Sequence, residues 1–193
     1  MRELKGIEEK ILDRTLYLIG KNGSSNVSIR AIAKEANVNV SAINYYFRTK
    51  DEMLRHAKEF YMSNTRMITS ILDQEELEEE EKLILFANEI MEYVIRFPGI
   101  TVLLKEAVEH IEDEISQQIV AVTHQMHQKM EYTMRKVINK DQQRFEYSRM
   151  IFMSSLIYPI ENFDITRYDE GLISNRDNRI KYITHLIKVL REA

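Results

Sequence analysis

The sequence predicts an all-α protein, and three observations carry that expectation. Only five glycines and two prolines punctuate 193 residues. Apolar residues recur at helical spacing along most of the chain, and no segment alternates Val, Ile or Thr with polar residues between tight-turn signals. An apolar content of 44% at this length can bury the core of one domain or of two small ones.

A first helix from about Glu3 to Lys21 sets Leu4, Ile7, Ile11, Leu18 and Ile19 on one stripe, widened by Leu12 and Leu16, and Gly20 and Gly23 end it. Ser28 then caps a two-turn helix whose buried face is Ile29, Ile32, Ala33 and Ala36. Asn37-Val38-Asn39 breaks the pattern, and Asn39 caps a second short helix, Val40 to Phe47, with Ile43 and Phe47 facing inward. Thr49-Lys50-Asp51-Glu52 reads as a capping box opening a long helix through Met53, Leu54, Ala57, Phe60 and Tyr61 towards Leu72.

Long helices follow. Glu75 to Phe97 carries Leu83, Phe86, Ala87, Ile90, Val94 and Phe97 and stops at Pro98-Gly99. Ile100 to His110, Glu114 to Ile138, and Asp141 to Tyr158 come next, the last closed by Pro159. An irregular stretch, Ile160 to Ser174, leads into a final helix, Arg176 to Arg191, with Ile180, Ile183, Leu186, Ile187 and Leu190 in one stripe. Both late helices carry more apolar surface than a one-sided helix requires, which calls for a partner.

The net charge of −4 hides an asymmetry. Through Lys58 there are 11 Lys and Arg against 7 Asp and Glu, leaving 16 against 24 beyond it, so a basic head of +4 joins an acidic body of −8. That balance suits a polyanion partner for the first part, although a charge run is equally a solvated face. The absence of cysteine excludes disulfides, thiolate catalysis and Cys-ligated metal centres. No apolar run approaches the ~20 residues of a spanning helix. MRELKGIEEK lacks the apolar core of a secretory signal, so a cytoplasmic protein with no membrane association is expected.

Two short helices joined by a turn of about three residues, behind a longer leading helix, match the helix-turn-helix arrangement, whose second helix enters the DNA major groove. Spacing alone leaves the bland alternative open, since any helical protein contains short helices with tight turns. The residues go further: VSIRAIAKEANVNVSAINYYFRTKDEML resembles the DNA-binding head of the TetR family of transcriptional regulators. Ile32-Ala33, Ala36, Val38, the aromatic cluster ending at Phe47, and Lys50 followed by acidic residues and Met53-Leu54 all fall in family register, and the resemblance covers about Gly6 to Phe60. It implies a three-helix DNA-binding head, residues 1–48, followed by a helical effector-binding and dimerisation domain, residues 49–193. Two positions depart from the family pattern. Asn37 stands where many members have glycine, and Asn can supply the left-handed turn. Asn44 replaces the usual first aromatic of the recognition helix, so no operator sequence carries over from relatives.

Carried over by position, the resemblance implies these DNA contacts. Arg30 is suited either to a bidentate guanine contact or to phosphate. Val40, Ser41, Ala42 and Asn44 form the base-facing half of the recognition helix, with Ala42 matched to a thymine methyl and Asn44 to adenine. Ser28, Tyr45, Tyr46 and Lys50 are expected at phosphates, and Phe47 in the core.

The remaining signals point elsewhere or nowhere. His124, His127 and Glu131 share a helix face and, with His110, outline a metal site; the competing reading is an ordinary polar face, and no metal or other cofactor is assigned. Met126, Met130 and Met134 form a stripe that reads as core, or as an adaptable pocket wall with Phe86, Tyr93 and Phe97 around an effector. Neither a P-loop, a Rossmann glycine pattern, HExxH nor Gly-x-Ser-x-Gly occurs, and no enzyme is expected. The expected function is a ligand-responsive regulator, a repressor, that binds a near-palindromic double-stranded DNA operator as a homodimer under an unknown small-molecule effector. The dimer interface is expected from residues 141–158 and 176–191. The alternatives are a helical ligand-binding protein or enzyme without specific DNA binding, and a metal-sensing regulator on the same scaffold.

Overall fold

The described residues, 6–192, of a computed structural model form ten α-helices and two 3-10 turns, with no strand among them. The all-α expectation is met. Glu3 and Leu4, assigned to the first helix from sequence, lie outside the described residues.

Helix α1 (Ile7–Asn22) ends where Gly23 adopts φ 65°, its N–H returning to the carbonyl of Gly20 while Ser24 N–H returns to that of Ile19. Its buried face is Ile11, Leu12, Thr15, Leu16 and Ile19. Ile7 is exposed and Leu18 only half-buried, which corrects the stripe read from sequence. At about 100° per residue the buried arc centres between Leu12 and Thr15, so Ile7 and Leu18 fall on its edge.

Helices α2 (Ile29–Glu35) and α3 (Val40–Tyr46) start on the expected caps: the Ser28 hydroxyl accepts from Ala31 N–H at 3.1 Å, and the Asn39 side-chain oxygen from Ala42 N–H at 2.7 Å. Asn37 between them has φ 51°, the left-handed conformation expected of it. Helix α4 (Lys50–Thr69) opens with Glu52 N–H on the Thr49 hydroxyl at 3.0 Å and tightens into a 3-10 turn, Ser70–Asp73.

Helix α5 (Glu79–Arg96) begins later than residue 75, because a turn intervenes in which Leu77 N–H reaches back to the Gln74 carbonyl. Glu79, Glu80 and Glu81 then fill its first turn, where carboxylates favour the helix dipole. Helices α6 (Gly99–Glu109) and α7 (Glu114–Val137) follow, the latter capped by Asp113 on Ser116 N–H. Helix α8 (Gln142–Glu161) does not close at Pro159 as expected; the proline lies inside it and the helix runs on to Glu161. The stretch read as irregular contains a short helix, α9 (Phe163–Thr166), and a 3-10 turn, Glu170–Leu172, before α10 (Arg176–Glu192).

The chain divides into two compact units. The first comprises Met1–Thr65 and Arg96–Thr123. In it α1 packs against α2, α3 and α6. The α1–α6 crossing is backbone against backbone: a methyl on Gly99 would stand 2.2 Å from the Leu16 carbonyl oxygen, and one on Gly20 2.6 Å from Gly99 N. Phe60 and Phe97 meet edge to face at 5.3 Å, and the Tyr61 and Thr123 hydroxyls hydrogen-bond at 2.7 Å. Buried Asp13 is compensated by Arg14 at 2.7 Å and Arg96 at 3.7 Å.

The second unit comprises Arg66–Ile95 and His124–Ala193. Phe86, Met91, Met130, Met134, Phe145, Phe152, Ile183 and Ile187 are fully buried there. Arg179 of α10 is also buried, at 3% exposure, donating to Asn88 of α5 and to the Ile173 carbonyl, each at 3.1 Å, and pairing with Glu92. A buried guanidinium so fully engaged fixes the register of α10 on α5.

Candidate nucleic-acid interface

The expected recognition element is α3, and its position follows from two apolar anchors. Ile43 and Phe47, i and i+4, are completely buried. Phe47 sits just past the helix at φ −135° and donates its N–H to the Ile43 carbonyl, so the chain leaves α3 while the ring stays in the core. There the ring meets His56 of α4 edge to face at 5.4 Å. The anchors commit one face of α3 inward and leave the other outward.

That outward face carries Val40, Ser41, Asn44 and Tyr45, all exposed, with Ala42 half-buried beside them. Tyr45 is 81% exposed and meets Tyr46 edge to face at 5.2 Å, while Tyr46 is half-buried against Phe47 at 6.4 Å. The aromatic triplet is thus graded, from an accessible ring through an intermediate one to a core ring. Ser28 and Arg30 are exposed at the start of α2. The Ser28 hydroxyl already accepts from Ala31 N–H, which leaves its own hydrogen to donate outward.

Lys50, half-buried at the first position of α4, donates to the Asn26 side-chain carbonyl at 3.4 Å. Two of its three N–H donors remain for other acceptors. Asn26 was not singled out from sequence, and the 24 residues between the partners explain why: only the folded head brings that loop beside the start of α4.

The expected effector residues are all buried but fall in different units. Phe86, Tyr93, Met126 and Met130 belong to the second, whereas Phe97 belongs to the first, edge to face with Phe60. His124 is exposed and His127 half-buried, its ring pushed below the ordinary histidine value by burial and by the neighbouring Arg149 and His124. Among the described residues no three His, Asp or Glu side chains converge to hold a metal ion, and no helix is long and apolar enough to cross a membrane.

Residues 11–57 match the family model described as bacterial regulatory proteins, tetR family. The chain is similar to a probable HTH-type transcriptional regulator, YttP, of Bacillus subtilis (strain 168), at 32% identity over 88 residues, 45% of this chain and 42% of that protein. The matched part therefore spans under half of that relative. Its fold is similar over nearly the whole length to TetR-family regulators of known structure: one from Bordetella parapertussis 12822 (TM-score 0.69, 14% identity, 95% of both chains) and PfmR from Thermus thermophilus (TM-score 0.68, 13% identity, 98% of both chains). Residues 11–57 thus carry a TetR-family DNA-binding domain, on a chain whose all-α fold is similar to that of TetR-family regulators of known structure.

Proposed function

We propose that the protein is a ligand-responsive repressor that binds a near-palindromic DNA operator as a homodimer in the cytoplasm. The observation that carries this reading is the outward face of α3, held by Ile43 and Phe47, presenting Ser41, Ala42, Asn44 and Tyr45 within the family's DNA-binding head. Residues 1–48 supply the base-reading part. Asn44 reads adenine, Ala42 meets a thymine methyl, Val40 and Ser41 allow close approach, and Arg30 contacts guanine or phosphate. Ser28, Tyr45, Tyr46 and Lys50 hold phosphates.

Residues 49–193 supply the dimer and the effector response. A two-fold dimer presents two copies of α3 to successive major grooves, about 34–36 Å apart, and an effector that alters that spacing releases the DNA. The exposed apolar residues of α8 support the dimer, and the buried Met126 and Met130 with Phe86 and Tyr93 support an adaptable apolar effector site in the second unit.

Selection of duplex DNA from a random pool, followed by Asn44→Ala and Lys50→Ala, tests the reading. Asn44→Ala should cost roughly 1–3 kcal/mol mainly at one base pair, while Lys50→Ala should weaken all sequences and lower the salt slope by about 1. Equal losses on every sequence for Asn44→Ala would remove it from base reading. No selective, salt-sensitive binding by the wild type would favour a helical ligand-binding protein or enzyme instead. A change of DNA affinity with zinc or nickel, abolished by His124→Ala or His127→Ala, would favour the metal sensor.

A further inference from the structure

Lys50 is offered to DNA from a helix start, yet a free lysine side chain samples many rotamers and loses about 2 kcal/mol of entropy when fixed. The structure restrains it through a short chain of contacts. Its ammonium donates to Asn26 at 3.4 Å, and Asn26 belongs to the loop between α1 and α2. That loop is itself tied down: Ser25 N–H donates to the Glu106 carboxylate of α6 at 3.0 Å, Asn26 N–H to the Ser24 hydroxyl at 3.1 Å, and Val27 is buried. The Glu106 bond is part-buried and crosses 81 residues of sequence. It satisfies a backbone donor that has no helix or sheet partner.

Resting on the DNA-binding reading above, we propose that Glu106 and Asn26 are positioning residues for the Lys50–phosphate contact. Glu106 touches no DNA. It fixes the Ser24–Asn26 loop, the loop presents the Asn26 oxygen, and that oxygen holds the ammonium of Lys50 with two donors directed outward. The role of Glu106 depends on an acceptor oxygen and not on charge, because its partner is a neutral backbone N–H.

The test is a double-mutant cycle on a duplex selected by the wild-type protein, read by titration with fluorescent DNA. Glu106→Ala should lower affinity about fivefold, and Asn26→Ala by a similar factor. In a Lys50→Ala background each should cost less than about twofold, since the contact they position is gone. Glu106→Gln keeps an acceptor and should restore wild-type affinity and the slow hydrogen exchange of the Ser25 amide that Glu106→Ala loses. A purely structural role for Glu106 predicts instead full, additive losses with and without Lys50, and that result overturns the proposal. Should Glu106→Ala fail to fold, Asn26→Ala, at the exposed link, completes the cycle. A wild type that selects no duplex overturns the DNA reading and the proposal together, whereas additive losses on a well-bound duplex overturn the proposal alone.

Discussion

The Tyr182 hydroxyl of α10 donates to the carbonyl of Ser155 in α8 at 2.8 Å, and Ser155 is the residue whose carbonyl the proline four positions later cannot use. Pro159 has no N–H to close that turn. Tyr182 supplies the missing donor, which explains how α8 runs through the proline to Glu161. Burial raises the pKa of the phenol, so the group stays protonated and able to donate.

Tyr182→Phe should therefore cost about 0.5–1.5 kcal/mol, the net worth of one hydrogen bond with an acceptor left behind. Pro159→Ala restores a backbone N–H to Ser155. In that background Tyr182→Phe should cost measurably less by urea denaturation, and an undiminished cost would show that the hydroxyl is not compensating for the proline.

Gly99→Ala concerns the other unit. Its new methyl would lie 2.2 Å from the Leu16 carbonyl oxygen and 3.0 Å from the Ile19 Cβ, and backbone cannot swing aside as a flexible side chain does. A loss of about 3 kcal/mol or more is expected, at the upper end of overpacking penalties. Gly6→Ala is the control, because nothing lies within 4 Å of its added Cβ. It should stay within about 0.5 kcal/mol in thermal unfolding.

What could be read from sequence was whatever is local. Capping by Ser28, Asn39 and Thr49, the left-handed turn at Asn37 and the burial of Phe47 each depend on a few neighbouring residues, and each was legible. The misses depend on distant ones. Ile7 is excluded from the core by where the partners of α1 lie, and Pro159 is tolerated because Tyr182 arrives from another helix. In the candidate interface the exposed residues of α3 were legible, but the Asn26–Lys50 and Ser25–Glu106 contacts join loops to helices across long stretches of chain. No periodicity encodes them.

His127 makes stability depend on pH. Burial, then Arg149 and His124, lower its folded pKa below the ordinary value of about 6.5. Between the folded and unfolded values the unfolded chain binds more protons, so stability there rises with pH. The full contribution is present above the ordinary value and is lost as pH falls below it towards the folded pKa. His127→Gln should remove this part of the dependence: comparing urea midpoints at about pH 7.5 and about pH 5.5, the variant should lose less stability on acidification than the wild type. An identical loss in both proteins would assign the acid sensitivity to other groups.

The surplus apolar surface expected on both late helices is concentrated on one. Tyr147, Met150, Ile151 and Tyr158 of α8 are each at least half exposed and lie at i, i+3, i+4 and i+11, opposite buried Phe145, Phe152 and Leu156. On α10 the stripe of Ile183, Leu186, Ile187 and Leu190 is spent inside its own unit, and Val189 is the large apolar residue left exposed. A dimer built on these helices should therefore depend more on α8. Ile151→Glu places a charge where the monomer leaves the side chain in water, so its folding free energy should change by no more than about 0.5 kcal/mol. Across a two-fold axis the same charge is buried against its own copy, unpaired and repelled. Sedimentation should show Ile151→Glu as monomer at concentrations where the wild type is dimeric, with Val189→Glu shifting the equilibrium less. Affinity for a two-half-site duplex should fall with the dimer, because one head alone forfeits the second major groove; a dimeric, fully binding Ile151→Glu protein would move the interface off α8.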